Sequence, residues 1–445
     1  MLKKIFLIFF TILIVSSVIL TPLSVSAYEV TGFDINAKAG MLVSLDTGKV
    51  LYENNIDEKV YPASITKIMT TLLMLESEKY DPEGKITLTK EALDLVLGTG
   101  SSVSNMREGE EFTQYDLVHL VLMASFGDTT YLAAQYYGES VENFVLMMNE
   151  KAKELGLTKT HYSNPVGLHD EDNYTTERDI YTLTKFALKN ETFKEVCQKP
   201  RYTLSTNFTP SRTISTTNYL QDSTTNLYYQ YAHGVKTGFT DEAGRCLVST
   251  ASYNGYNYMC ILMGCPNDGR GHQFKDSANL YRWAFNNFSF KEVASSDEPV
   301  CEIGLELSLS TDFVPLYFKE PFLTVLPNEA NDSTFVIKEK LIAETVEAPI
   351  KKGQVLGTAD IIYAEEVIGT VDLVAGEDIE SSTLLVIVKH IKGFFTSVYM
   401  KIFAVVIIIA IIIFIIRFIR LNINKFKKRK VRYIPYEKEK NKYEK

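Results

Sequence analysis

Cysteine, histidine, tryptophan and net positive charge are all in short supply in this sequence, and each shortage closes a class of function. The five cysteines (Cys197, Cys246, Cys260, Cys265, Cys301) are odd in number and stand in no C-x-x-C or C-x-H spacing. A disulfide framework and a structural zinc site are therefore not expected, and buried free thiols are. His119, His161, His233 and His272 show no metal-ligand spacing, so no metal or other cofactor is implied. His169 stands alone without partners and reads as structural. There is one tryptophan, Trp283, while tyrosine and phenylalanine are plentiful, which suits β-rich packing. No internal repeat or low-complexity stretch is present. The whole chain carries −9, the residues after Ile416 carry +9 and the first 27 carry +2, which leaves −20 on residues 28–416. A surface that acidic excludes nucleic acid as a partner. With 445 residues, 46% hydrophobic and 23% charged, the composition is globular and allows two domains.

Two apolar runs interrupt that composition. Lys3 and Lys4 precede an apolar stretch over 5–20, and Val25-Ser26-Ala27 offers small residues for cleavage, so 1–27 reads as a secretory signal. Near the other end 402–416 holds no polar residue, and 394–416 gives about 23 residues, enough to span a bilayer with some tilt. Lys401 lies inside that stretch and is expected to snorkel outward. Arg417, Arg420, Lys425 and the basic residues that follow keep 417–445 on the cytoplasmic side and suit anionic lipid headgroups.

Between these runs, 41–45 and 50–53 read as strands around the turn Asp46-Thr47-Gly48-Lys49, and 65–75 as a buried helix. Residues 116–125, 133–137 and 144–155 look helical, the last closed by Gly156. Later the period changes: 234–239, 245–253 and 256–263 read as strands, the last two joined by Asn254-Gly255, the strongest short hairpin signal. Residues 276–287 read as a helix. Strands at both ends of a helical block predict a helix-flanked antiparallel sheet. After a boundary near 294–297, short strands at 302–309, 322–326, 334–338 and 367–374 predict a small all-β domain. Ala364-Glu365-Glu366 carries no turn signal before the last of them. The expected organisation is thus 1–27 signal, 28–296 catalytic domain, 297–388 β domain, 394–416 transmembrane helix and 417–445 tail.

Two short constellations carry chemistry. In Ser64-Ile65-Thr66-Lys67, a serine at a helix start has a lysine one turn on, on its own face. A serine hydroxyl needs a base, and a lysine serves only when burial or a nearby positive charge makes it neutral. In Lys236-Thr237-Gly238, a cation, a hydroxyl and an open backbone would stand together on a strand lining a cleft. Lys236 could be the positive charge that depresses Lys67. Either motif alone is weak. Their order, spacing and exported context match the penicillin-binding motif set.

The chain resembles the low-molecular-mass penicillin-binding proteins, which are serine D-Ala-D-Ala carboxypeptidases. The likeness extends through Asp46-Thr47-Gly48-Lys49, Pro62-Ala63-Ser64, Asn164-Pro165-Val166-Gly167-Leu168-His169-Asp170, 234–244 and Ala348-Pro349-Ile350. It implies an α/β catalytic domain of the transpeptidase and β-lactamase type, followed by a small β domain. It implies Ser64 as nucleophile, Lys67 as base, Ser125 as proton relay, Lys236 and Thr237 as binders of the substrate carboxylate, and Gly238 as the gap for the substrate backbone. The N–H groups of Ser64 and Phe239 would form the oxyanion hole. The substrate would be peptidoglycan stem peptides, with β-lactams as inhibitors.

This sequence departs from the family pattern in two places. The middle motif, S-x-N in the family, reads Ser125-Phe126-Gly127, so an orienting amide is absent. At the family's carboxylate-binding arginine an ungapped match puts Gln273, with Arg270 nearby as a substitute. The first departure keeps a non-catalytic peptidoglycan sensor as the alternative to the enzyme. A class A β-lactamase would need a deacylating glutamate that no motif identifies.

Overall fold

The computed structural model describes residues 32–331 and 334–429; the expected signal and the end of the basic tail lie outside them. The described residues divide into two compact units. One runs to Val293 and takes back Leu323–Thr334, and the other comprises Ala294–Phe322 and the residues from Phe335 onward.

The first unit is built on five strands: β1 (Ala39–Ser44), β2 (Val50–Asn54), β3 (Ala232–Thr240), β4 (Gly244–Tyr253) and β5 (Tyr256–Cys265). They are ordered β2-β1-β5-β4-β3, antiparallel at every pairing. Successive side chains on a strand face opposite ways, and both faces are covered. Met41, Val43, Val248, Ile261 and Met263 join one apolar cluster with the helical block. Leu42, Leu247, Tyr258, Cys260 and Leu262 join another with Leu280, Tyr281 and Ala284. The helices are α1 (Lys67–Glu76), α2 (Gly127–Gly138), α3 (Val141–Glu154) and α4 (Glu177–Ala187) on the first face, and α5 (His272–Asn287) on the second. Four of the five cysteines are buried with free thiols.

Several expectations hold to within a residue or two. Tyr253 pairs with Tyr256 across Asn254 and Gly255, both at positive φ, the geometry of a tight primed turn. Gly156 follows α3 at φ +72°. Two expectations change. The helix expected over 116–125 is α-helical only over Gln114–Val118, widens to a π-turn over His119–Met123 and ends before Ser125, which sits at φ +64°. π-turns cluster at functional sites, and this one turns Ser125 out of the helix. Helix α5 also begins four residues earlier than expected. Its N-cap is Gly271 in a left-handed conformation rather than a Ser, Thr or Asp, so no capping signal marked its start.

The second unit carries β7 (Cys301–Glu306), β8 (Phe313–Phe318), β10 (Phe335–Leu341), β11 (Thr345–Glu347), β12 (Val355–Tyr363) and β13 (Glu366–Ala375). They form one sheet in the order β10-β12-β13-β8-β7-β11. The strand expected at 322–326 exists as β9 (Phe322–Pro327), but it pairs with β6 (Phe288–Ala294) in a separate two-stranded sheet. The C-terminal helical stretch is two helices rather than one. In α6 (Thr383–Thr396), Leu384, Ile387, Val388, Ile391, Phe394 and Phe395 are exposed, an apolar stripe at helical spacing. Ser397, in an extended conformation, separates it from α7 (Val398–Arg429). Val398–Ile423 is long and apolar enough to cross a membrane. Phe394 therefore belongs to the shorter helix, and Lys401 lies exposed within the first turn of the longer one.

Candidate active site

A cleft of about 1230 Å³ opens in the first unit, lined among others by Ser64, Ser125, Thr237, Gly238 and Phe239. The three expected motifs, separated in sequence by up to about 170 residues, meet there.

Ser64 lies in a short 3₁₀ turn, Ala63–Thr66, that runs straight into α1. Pro62 precedes the turn, and Ala63 is held at φ +47°, a conformation that costs a non-glycine residue energy and survives only under outside constraint. The constraint comes from two glycines. A Cβ on Gly167 would lie 1.8 Å from the Ala63 carbonyl oxygen, and one on Gly238 would lie 2.9 Å from the Pro62 carbonyl and 3.2 Å from the Ser64 nitrogen. Backbone thus packs directly on the Ser64 turn from two sides. The helix behind Ser64 is buried at every position from Lys67 to Met74.

Lys67 donates to Ser64 Oγ at 3.0 Å and to the Val166 carbonyl at 2.7 Å. Thr70, one turn on, donates to the Pro165 carbonyl at 2.7 Å. The 164–168 loop is organised by Asn164, whose Oδ1 accepts from the Gly167 and Leu168 amides at 2.8 and 3.0 Å. Lys67 is 1% exposed. Burial lowers its pKa to about 7, against a smaller upward pull from the Asp128 carboxylate. At neutral pH a large fraction is the free amine, the form that can accept a proton.

Lys236 is equally buried and donates to the Thr237 carbonyl at 3.0 Å. Burial drives its pKa well down, and the charge on Lys67 drives it further. The sequence suggested Lys236 as the charge that depresses Lys67; in the structure burial lowers Lys67, and the charge effect runs from Lys67 onto Lys236. Thr237 shares a hydrogen bond of 2.6 Å with Thr217 and faces the cleft. Strand β3 is at the edge of the sheet, the position at which an extended ligand can pair with a strand.

Ser125, 6% exposed, also reaches the cleft. Its carbonyl accepts from Ser102 Oγ at 2.6 Å. Asp128 does not face the open site: its carboxylate accepts from the Ser104 amide and hydroxyl and from the Thr129 amide. Arg270 is not brought into the cleft. It is exposed and lies 3.5 Å from Asp268, although its neighbours Gly269 and Gly271 line the cleft. Gln273 does line the cleft, 6% exposed, with Oε1 lacking a hydrogen-bond partner.

Sequence reasoning missed several lining residues. His169 borders the cleft, edge-on to Tyr61 and 3.9 Å from Glu242. Arg245 does so too, stacked over Phe239 and donating to Asn267 at 2.8 Å. Thr217 and the hydroxyls of Thr99, Ser101 and Ser102 complete that wall. Apart from His169, which stands in the 164–170 stretch, no local pattern marks these residues: Arg245 opens strand β4, and the others come from loops whose position is set by distant contacts.

Comparison with known proteins agrees with this geometry. The family model described as D-alanyl-D-alanine carboxypeptidase matches residues 24–267, and one described as penicillin-binding protein 5, C-terminal domain, matches 288–381. The chain is 31% identical over 327 residues to the D-alanyl-D-alanine carboxypeptidase DacF of Bacillus subtilis, covering 72% of this chain and 80% of that one. It is 30% identical over 335 residues to DacC of Escherichia coli, covering 73% and 80%. Penicillin-binding protein 5 of Haemophilus influenzae superposes with a TM-score of 0.64 at 25% identity, covering 79% of this chain and all of that one. With its Ser64 turn, buried lysines and edge strand gathered around one cleft, and with a family match over more than half its length, the chain belongs to the serine-type D-alanyl-D-alanine carboxypeptidases of the penicillin-binding fold.

Proposed function

We propose that this protein removes the terminal D-alanine from peptidoglycan stem pentapeptides through an acyl-enzyme on Ser64, and that β-lactams acylate the same serine. The observation that carries the reading is the 3.0 Å contact between Ser64 Oγ and a fully buried Lys67 whose pKa burial lowers to about 7.

The stem peptide lies along edge strand β3, with its terminal carboxylate beside Thr237 and Lys236. That negative charge favours protonated Lys236, and the cation in turn favours neutral Lys67. Substrate binding thereby prepares the base. Lys67 takes the Ser64 proton as Oγ attacks the penultimate D-alanine carbonyl. The Ser64 and Phe239 N–H groups receive the oxyanion. Ser125 passes the proton to the departing D-alanine nitrogen, the C–N bond breaks, and an ester on Ser64 remains. Water adds to the ester with Lys67 again as base, which releases the shortened peptide and restores Ser64.

Val398–Ile423 anchors the protein, with 28–388 outside the cytoplasmic membrane and the basic tail inside. The apolar stripe of α6, just before the span, suits the lipid headgroup boundary. The second domain's family match favours wall maturation over a β-lactamase.

The test is D-alanine release from a pentapeptide ending in D-Ala-D-Ala by the full-length protein in detergent micelles, beside Ser64→Ala. Release that disappears in the variant supports the reading. Absence of release from wild-type protein still labelled by fluorescent penicillin overturns it in favour of a sensor.

A further inference from the structure

The middle motif lacks a side chain at Gly127, and the space that side chain would occupy is filled. A Cβ built on Gly127 would lie 2.1 Å from Ser101 Oγ, 3.0 Å from Ser101 Cβ and 3.1 Å from Val96 Cγ1. Ser101 comes from a different element, the loop between residues 95 and 110. That loop is fastened along the middle motif at successive positions. Ser102 Oγ donates to the Ser125 carbonyl at 2.6 Å, the Gly127 amide donates to the Ser102 carbonyl at 2.7 Å, and Ser104 donates to Asp128 from both its amide and its hydroxyl. Arg212 secures the far side through the Ser104 carbonyl at 2.7 Å. The register of Ser101 over Gly127 is thus fixed by neighbours on both sides.

Ser101 lines the same cleft as Ser64 and Ser125, and its hydroxyl has no hydrogen-bond partner among the described residues. A hydroxyl left free in the lining of the cleft that holds Ser64, on a loop tied to the Ser125 wall, is available to a ligand. A glycine at 127 is what permits the approach, because any larger residue there displaces the serine.

We propose that Ser101 is a substrate-binding residue of the acylation step: its hydroxyl occupies the place of the polar side chain absent at 127 and hydrogen-bonds the peptide group of the acyl donor, whether stem peptide or β-lactam. This rests on the acyl-enzyme reading above, deepening it by moving one polar contact from the motif to a neighbouring loop.

The test uses the full-length protein in detergent micelles, with Ser101→Ala, Gly127→Asn and the double variant S101G/G127N. The second-order rate of Ser64 acylation by fluorescent penicillin, kcat and KM for D-alanine release, and the melting temperature are read for each. Loss of one hydrogen bond to the ligand lowers the acylation rate of Ser101→Ala about tenfold, with an unchanged melting temperature. Gly127→Asn loses at least as much through the collision, and S101G/G127N regains most of it, because vacating the serine restores room for an amide. Ser101→Ala acylating within about twofold of wild type overturns the proposal. So does a double variant no faster than Gly127→Asn, which decides the matter even if Ser101→Ala folds poorly. Should wild type release no D-alanine yet still react with penicillin, the carboxypeptidase reading fails while the penicillin rates still judge Ser101.

Discussion

The two walls of the cleft are constructed differently. Around Ser64 the pairing of side chains lies within one helical turn: Lys67 reaches the Ser64 hydroxyl from three residues on, while the distant glycines at 167 and 238 press backbone against the turn. Around Ser125 the spacing lies between segments: a serine turned out of a π-widened helix is braced by Ser102, and the Gly127 position is filled by Ser101. A wall made of one helix tolerates little change, since its groups share one rigid frame. A wall assembled from two loops can exchange which residue supplies a polar group, as long as the volume is conserved.

That contrast predicts unequal losses. Lys67→Ala removes the proposed base and should lower Ser64 acylation by penicillin about 1000-fold, measured by stopped-flow fluorescence, against about tenfold for Ser101→Ala. A Lys67→Ala loss as small as that of Ser101→Ala would erase the distinction. Gly167→Ala tests the backbone packing behind the first wall. At φ +82° and 1.8 Å from the Ala63 oxygen, the added methyl must move the nucleophile turn, and a displacement of that kind costs about 100-fold in acylation along with a lower melting temperature. Wild-type rates in Gly167→Ala would show that the turn is held by α1 alone.

The pH dependence sharpens the comparison further. In the proposed mechanism Lys67 acts as base only when neutral, and burial lowers its pKa to about 7. The acylation rate should therefore rise about tenfold per unit below pH 7 and level off above it. Ser101→Ala should lower the whole curve without moving its midpoint, because a serine hydroxyl does not titrate in this range. The stability consequence has a definite sign. The unfolded chain holds the Lys67 proton up to its ordinary pKa near 10.5 and the folded chain releases it near 7, so unfolding takes up a proton between those values and stability rises with pH across that window.

The smallest effect concerns two hairpins that repeat the contrast between local and imposed geometry. Asn254-Gly255 and Ala364-Glu365 both join paired strands by two residues at positive φ. Only the first has residues that favour it. Glu365→Gly should stabilise the second domain by about 1 kcal/mol, seen as a higher denaturation midpoint, whereas Gly255→Ala should destabilise the first by a similar amount.

The helix after Ser64, the Asn-Gly hairpin, the β-rich second domain and the apolar C-terminal run were all legible from spacing and composition, because each depends on neighbours within a few residues. Lys67 beside Ser64 follows from helix periodicity, and the pairing with Lys236-Thr237-Gly238 followed from resemblance. The early start of α5 was hidden by an unusual glycine cap, and the strand at 322–326 was visible while its partner was not. Arg270, near in sequence to the expected cation position, points into solvent.

The sequence by itself determined that this chain carries a serine at a helix start with a lysine one turn away, a second lysine on a strand, and an apolar segment able to cross a membrane. Only the tertiary structure decided that both lysines lie buried with lowered pKa values, that His169, Arg245 and Gln273 border the cleft, and that Ser101 fills the space left by Gly127. The physical reason is range. Helical periodicity and turn chemistry act over a handful of residues, whereas desolvation, volume exclusion and the meeting of loops depend on which distant segments fold against one another.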